Sequence, residues 1–252
     1  MGKEGEVKVK SLQKAMEVLE CFAQKQPLGV TEISEKLGLY KSNVHNILTT
    51  FTALGYLSQD AETGKFRLGV SIMSLSRAFR EGLDITRVAV PFMREIANEA
   101  GELVYLTVTR EDSVVYLEGI SPDNQRMVSK SVAGECGKMY CTSVGKAMLA
   151  NMPKEEVERY LSGELEAFTE NTITDKNKLL EEIEKTRIRG YGIDDMEITF
   201  GIKCVGVALL NHDGNVEGGL SISAPSLRMS DEKIELYANI LKKYAEKIQK
   251  ML

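Results

Sequence analysis

The chain has 252 residues, 43% of them hydrophobic, with 32 Lys+Arg against 37 Asp+Glu and a net charge of −5. That apolar share builds cores and excludes global disorder. The acidic total excludes a histone-like polycation but not a local basic face. No apolar run approaches the roughly 20 residues that span a bilayer, and no membrane partner is expected. Met1–Glu6 is charged and lacks the apolar stretch of a signal peptide, so a cytoplasmic location is expected. Cys21, Cys136, Cys141 and Cys204 form no CxxC pair, and two histidines are few for a built-in metal site. Neither metal nor cofactor is expected.

The charge is unevenly spread. Residues 1–69 hold nine Lys/Arg and eight Asp/Glu, a net of +1, and the remainder carries −6. Between Glu35 and Asp60 there is no acidic residue. A tract of that length without acids suits a surface that approaches something negative.

In chain order, Leu12, Ala15, Met16, Leu19 and Phe22 recur at helical spacing and predict an amphipathic helix. Pro27, Gly29 and then Thr31, as N-cap, open a short second helix that Gly38 ends. A third helix over 39–54 carries Val44, Ile47, Leu48, Phe51 and Leu54 on one face, and Gly55 closes it. Tyr56–Ser58 and Lys65–Leu68 read as two strands around a polar turn with Gly64. Short helix, tight turn, helix and hairpin is the order of a winged helix-turn-helix, placed at 1–69. Residues 70–83 read as a linking helix with Ile72, Leu75 and Phe79 on one stripe, suited to dimerisation. Gly82 ends it, Asp84 caps the next helix, and Pro91 predicts a kink or restart in that helix.

Residues 84–252 alternate strands and helices. Leu103–Thr109 and Val114–Gly119 are predicted strands around Glu111-Asp112. Cys204–Leu210 and Val216–Ser223 flank Asp213-Gly214, and helices are predicted at 143–151, 175–189 and 230–250. Gly134–Gly137 reads only as a turn. Hairpins predominate, so the sheet should be mostly antiparallel with helices, giving an α+β two-domain chain.

The third helix presents Lys41, Ser42, Asn43, His45, Asn46, Thr49 and Thr50 opposite its apolar face. These side chains hydrogen-bond base edges or phosphates, and none repels DNA. Lys65 and Arg67 of the hairpin are placed to reach a phosphate or the minor groove, and Thr31 joins the candidate DNA contacts. A polar helix face is commonly just solvated. The preceding short helix, the missing acids and the wing favour DNA binding.

The second candidate site is a sheet face. If Asp213-Gly214 are the centre of a two-residue turn, Gly206 faces Ser221 and Cys204 faces Ser223, all on one face. Val205, Val207, Leu220 and Ile222 take the other as ordinary core. A face of thiol, hydroxyls and glycine makes a poor core and leaves room for a ligand. The start of helix 143–151 at Ser143 and Val144 suits a carboxylate through its free N–H groups, and Asp194 can accept from a ligand hydroxyl. The competing reading is plain: a buried Cys serves as a small hydrophobe and strand serines face solvent.

Several segments resemble the IclR family of transcription regulators. They are Ser11–Glu20, Thr31–Leu39 continuing into Lys41–His45, Gly55-Tyr56-Leu57, Phe66–Gly69, Thr142–Ala150, Gly190–Asp194 with Glu197, Gly201 and Cys204, and Ser221–Ser223 with Pro225 and Arg228. Tyr40 stands where that family has Pro, Lys138-Met139-Tyr140 where it has Pro-Leu-His, and Met196 at an acidic position. The resemblance implies a GAF- or profilin-like second domain that binds a small metabolite. It implies a repressor or activator of a catabolic operon, acting as a homodimer or dimer of dimers on a pseudo-palindromic operator. It also implies an effector that is a carboxylate or polyol, contacted by Ser143, Val144, Asp194, Cys204, Ser221 and Ser223. An enzyme using Cys204 or a serine would need a base close by. His45 belongs to the third helix, His212 lies far along the strand, and GxSxG, HExxH and GxxxxGK[ST] are missing. No catalytic residue is expected. A constitutive DNA-binding scaffold whose second domain only oligomerises is the remaining alternative.

Overall fold

The computed structural model describes residues 7–82, 84–123 and 133–252. Met1–Glu6, read above as a charged N-terminus, and Leu83, at the end of the linking segment, lie outside the described residues. The chain folds as two units, Met1–Arg80 and Glu81–Leu252, in an α+β arrangement.

In the first unit, α1 (Lys10–Gln24), α2 (Val30–Leu37) and α3 (Lys41–Ala53) precede an antiparallel hairpin of β1 (Leu57–Gln59) and β2 (Phe66–Leu68). Val18, Cys21, Phe22, Leu28, Ile33, Val44, Leu48, Leu57 and Phe66 form its core. The stripe expected on α1 is only half right. Leu12 and Met16 are exposed, because the core engages the C-terminal half of the helix through Val18, Cys21 and Phe22. Leu54 is exposed as well, since it lies past the last turn of α3 as its C-cap.

The start of α2 also differs from expectation. Gly29, not Thr31, is the N-cap, and Thr31 lies inside the first turn. The reason is Glu32: its carboxylate accepts from Gly29 N–H at 3.0 Å, which fixes the helix start two residues earlier. Gly38 ends α2 at φ 64°, a left-handed position that suits glycine, and makes the tight turn into α3.

Helix α4 (Ser71–Glu81) follows the wing. Ser71 N–H donates to Gly55 O at 3.2 Å, tying the helix start to the first unit.

The second unit is a six-stranded, wholly antiparallel sheet. Its strands are β3 (Leu103–Arg110), β4 (Ser113–Ile120), β5 (Cys136–Lys138), β6 (Gly192–Asp195), β7 (Ile202–Leu210) and β8 (Val216–Pro225), in the order β5-β4-β3-β8-β7-β6. The turn expected over Gly134–Gly137 runs into an edge strand, since Cys136–Lys138 pairs with Val115–Ser113. One sheet face packs on α5 (Asp84–Ala100) and α9 (Asp231–Gln249) through Val205, Val207, Leu220, Ile222, Met93, Ile96 and Leu241. The other packs on α6 (Ser143–Ala150), α7 (Lys154–Tyr160) and α8 (Lys176–Arg189), with Val144, Met148, Leu149, Leu179 and Ile183 buried.

Of the kink or restart expected at Pro91, the restart does not occur; α5 runs through it. Pro91 and Arg87 are both exposed, so water can satisfy the Arg87 carbonyl that loses its intrahelical donor.

The β7–β8 register is the expected one, Gly206 opposite Ser221 and Cys204 opposite Ser223. The turn is not. Asn211 N–H donates to Asn215 O at 2.9 Å, which leaves a three-residue loop, and a register shift at Leu209/Leu210 restores the pairing. The bulge compensates for the longer turn.

Candidate nucleic-acid interface and ligand pocket

Val44 and Leu48 anchor α3 in the core, which turns Lys41, Ser42, Asn43, His45, Asn46, Thr49 and Thr50 outward, and all seven are exposed. Thr50 donates back to Asn46 O at 2.8 Å and is held to its own helix. Tyr40 caps α3 without a side-chain hydrogen bond, and the first turn contains no acid. The helix start therefore keeps free N–H groups and its positive dipole end, an arrangement suited to phosphate. A 13-residue helix is about 20 Å long and fits the major groove.

The wing is less free than its composition suggests. Lys65 pairs with Glu32 at 3.0 Å, and Lys25 reaches the same carboxylate at 3.0 Å. Hydrogen bonds from Lys25, Gly29 and Lys65 hold the Glu32 carboxyl down at about 2. Lys65 thus ties the wing to α2. Arg67 lies opposite Ser58 on the exposed side of the hairpin, with Asp60 3.9 Å away. Thr31 is exposed on α2.

On the sheet, residues pair across four strands in two neighbouring rows. One row runs Leu103, Ser223, Cys204, Asp194, and the next runs Tyr105, Ser221, Gly206, Gly192. Both rows face α6. The space expected over Gly206 is already filled. A Cβ there would sit 2.6 Å from Val144 N and 2.9 Å from Ser143 Oγ, and one at Gly192 would sit 2.1 Å from Ser143 O. The glycines let the start of α6 lie directly on the strands, and Ser221 is buried beside them. The accessible part of the face is the other row with its aromatic border. Cys204, Ser223, Leu103, Tyr105 and Tyr116 are all half-buried.

The chemistry of that row is neutral and protic. Cys204 Sγ lies 3.3 Å from Ser223 Oγ, and burial pushes its thiol up to about 12. Burial likewise raises Cys141 to about 12 and Tyr105 to about 12, and raises Tyr116. Tyr105 and Tyr116 meet edge to face at 5.2 Å. The Thr142 side chain caps α6 by accepting from Gly145 N at 3.1 Å, which leaves the first-turn N–H groups of Ser143 and Val144 for another acceptor. Asp194 Oδ1 accepts from Glu197 N at 2.7 Å, and burial lifts its carboxyl to about 7.

Two residues absent from the expected contacts complete the site. Lys146 and Glu197 form a buried ion pair, and Lys146 Nζ also donates to Ile193 O at 2.8 Å. The signal was available: Lys146 is the lone charge in the apolar helix Ser143–Ala150, and a buried ammonium requires an acidic partner. Among the described residues no group of three or more His, Cys, Asp and Glu is placed to hold a metal, and no helix is long and apolar enough to cross a membrane.

A helix-turn-helix unit with an acid-free exposed helix, followed in the chain by a helix-flanked sheet with a half-buried protic row, defines a two-unit DNA-binding transcription regulator. The chain belongs to the IclR family: residues 11–61 match the IclR helix-turn-helix domain, and residues 78–250 match the bacterial transcriptional regulator IclR C-terminal domain. It is 35% identical over 242 residues to the HTH-type transcriptional regulator KdgR of Escherichia coli (strain K12), covering 95% of this chain and 91% of that one. The crystal structure of the Thermotoga maritima IclR superposes with a TM-score of 0.76 at 31% identity, over 96% of this chain and 98% of the other. An IclR homolog of Microbacterium hydrocarbonoxydans, solved with 4-hydroxybenzoate, shares the fold at a TM-score of 0.83 and 24% identity, over 96% and 98% of the two chains.

Proposed function

We propose that this regulator controls a catabolic operon and is itself controlled by a small carboxylate or polyol metabolite bound in its second unit. The observation that carries the reading is the Asp194, Cys204, Ser223 row beside the uncommitted N–H groups of Ser143 and Val144. It is a recess of neutral donors next to a helix start, and hydrocarbon packing alone does not account for it. The Microbacterium relative binds 4-hydroxybenzoate, which supports a small-molecule role for this fold.

In this reading Lys41, Ser42, Asn43, His45, Asn46 and Thr49 meet the major groove. Arg67, with Thr31 and the tethered Lys65, lies towards the backbone. A homodimer places two such helices on the half-sites of a pseudo-palindromic operator in the cytoplasm. The effector shifts the populations of DNA-competent states.

No catalytic role is assigned. The Cys204 thiol stays protonated at neutral pH, and His212 is exposed at the hairpin tip, eight residues or roughly 25 Å of strand away. The test is a metabolite screen on operator binding by the full chain, read by fluorescence anisotropy. A carboxylate or polyol should change the operator affinity of the parent and leave a Cys204→Leu variant unresponsive. Parent affinity unmoved by every compound would favour a constitutive scaffold.

A further inference from the structure

Lys146, Glu197 and Asp194 bring two carboxyls and one ammonium into the interior, each at most 5% exposed. The charge is uneven. Lys146 is committed to Glu197 Oε1 and Ile193 O, and among the described residues Glu197 Oε2 is buried with no hydrogen-bond partner. Among the described residues the cation that acts on Asp194 is this same committed Lys146.

The other described groups around Asp194 add no second cation. Cys204 from β7 and Tyr116 from β4 are neutral, as is Cys141 from the turn before α6. The buried residues of α8 are Leu179, Ile183 and Thr186, none charged. Asp195, the next residue, points to the opposite side of its strand, where it is exposed and pairs with Lys203 at 2.8 Å. A buried carboxylate with a like charge nearby and no free cation holds a proton more tightly than one in water. An anionic ligand beside it would strengthen that preference.

Resting on the reading of this face as the effector pocket, we infer that Asp194 meets the effector as a neutral carboxylic acid, donating its proton to a carboxylate or carbonyl oxygen, so that a carboxylate effector binds with uptake of a proton at neutral pH. This reverses the acceptor role expected from the sequence. It also selects among ligand classes. A carboxylate or 2-oxo acid offers oxygens that only accept, which match the Asp194 acid, the Cys204 thiol, the Ser223 hydroxyl and the N–H groups of Ser143 and Val144. An uncharged polyol gains no comparable complement.

The experiment uses the full chain in two measurements. Carboxyl carbon NMR follows the acids of the ligand-free protein through pH. One carboxyl should titrate near 7 and vanish from the spectrum of Asp194→Asn. That variant keeps an oxygen for Glu197 N and an N–H donor for the ligand, so it should fold and bind.

Calorimetry in buffers of different ionisation enthalpy then counts protons for pyruvate, lactate and glycerate, with glycerol as the uncharged polyol. Parent affinity for a bound carboxylate should fall about tenfold per pH unit above 7, with about one proton taken up. The affinity of Asp194→Asn should be flat across the same range. Carboxylate binding that is equal at pH 6 and pH 8, or a preference for glycerol, overturns this inference and leaves the pocket reading intact. If none of the four probes binds parent or variant, the pocket reading falls and takes the inference with it.

Discussion

At the scale of residues, α3, proposed to read DNA, separates two kinds of contact. Lys41 is a point charge at the uncapped start of α3, and Asn46 projects from its exposed face. Lys41→Glu should weaken binding to every sequence and lower the salt-dependence slope by about one, as expected for a lost phosphate contact. Asn46→Ala should relax preference at one base pair and cost on the order of 1–3 kcal/mol. Titrations at several salt concentrations separate the two, and parent-like binding by both variants would remove α3 from the interface. Asp194 carries a prediction independent of any ligand. Its carboxyl is raised from 3.8 to about 7 in the folded chain, so the folded state holds more protons than the unfolded state between those values. Stability should therefore fall as pH rises through that window and stay lower above it. Asp194→Asn should flatten that slope in urea unfolding and be the more stable chain at pH 8. An unchanged slope would mean that Asp194 ionises normally.

At the scale of elements, the fit between α6 and the sheet decides what the recess can hold. Gly206 and Gly192 accept the Ser143–Val144 turn so closely that a side chain at either position meets backbone. Gly206→Ala should cost about 1–3 kcal/mol as an overpacked contact and displace the Ser143 and Val144 N–H groups; if these meet the effector as proposed, effector affinity should fall with it. A variant with parent melting temperature and parent effector response would show that α6 has slack against β7. Helix α4 poses a different question. Leu75 and Phe79 are exposed on it, together with Met73, while Ile72 is half-buried. Apolar side chains grouped in this way suit a partner surface, and the expected occupant is α4 of a second copy. Sedimentation of full-length Leu75→Glu/Phe79→Glu at tens of micromolar should show weakened self-association and, with it, weaker operator binding. Retention of the parent assembly would place the dimer contact elsewhere.

At the scale of the whole molecule, the two units must exchange free energy if the effector is to control DNA binding. Ser223 tests this better than Ser221, because Ser223 borders the accessible row while Ser221 is buried beside the start of α6. Ser223→Leu fills the recess, so the effector should bind less and change operator affinity less, and by linkage operator DNA should alter effector affinity less. Operator binding without effector should stay near the parent value. Loss of that basal binding would mark the row as structural rather than as a ligand wall.

Much of this was legible in local pattern. The helix-turn-helix order follows from short apolar periods and the glycines at 38, 55 and 64, and the exposed face of α3 follows from the spacing of Val44 and Leu48. The pairing of Cys204 with Ser223 follows from a two-residue turn that the structure does not have, and holds because a bulge, which leaves no sequence signature, compensates the longer loop. The start of α2 was a local matter as well: Thr31 lost the cap to Gly29 because Glu32, three residues on, reaches back to it. Other features depended on partners distant in the chain. Lys65 is drawn to the same carboxylate 33 residues away. The space over Gly206 is taken by α6, and Asp194 holds a proton more tightly because α6, β4 and β7 bury it while Lys146 is committed to Glu197. The sequence by itself determined which faces are apolar, which helix lacks acids and which strands pair as hairpins, since these depend on neighbours close in the chain. Only the tertiary structure decided where a recess remains and which charges stay unbalanced, since both depend on which distant backbones and side chains displace water from the same space.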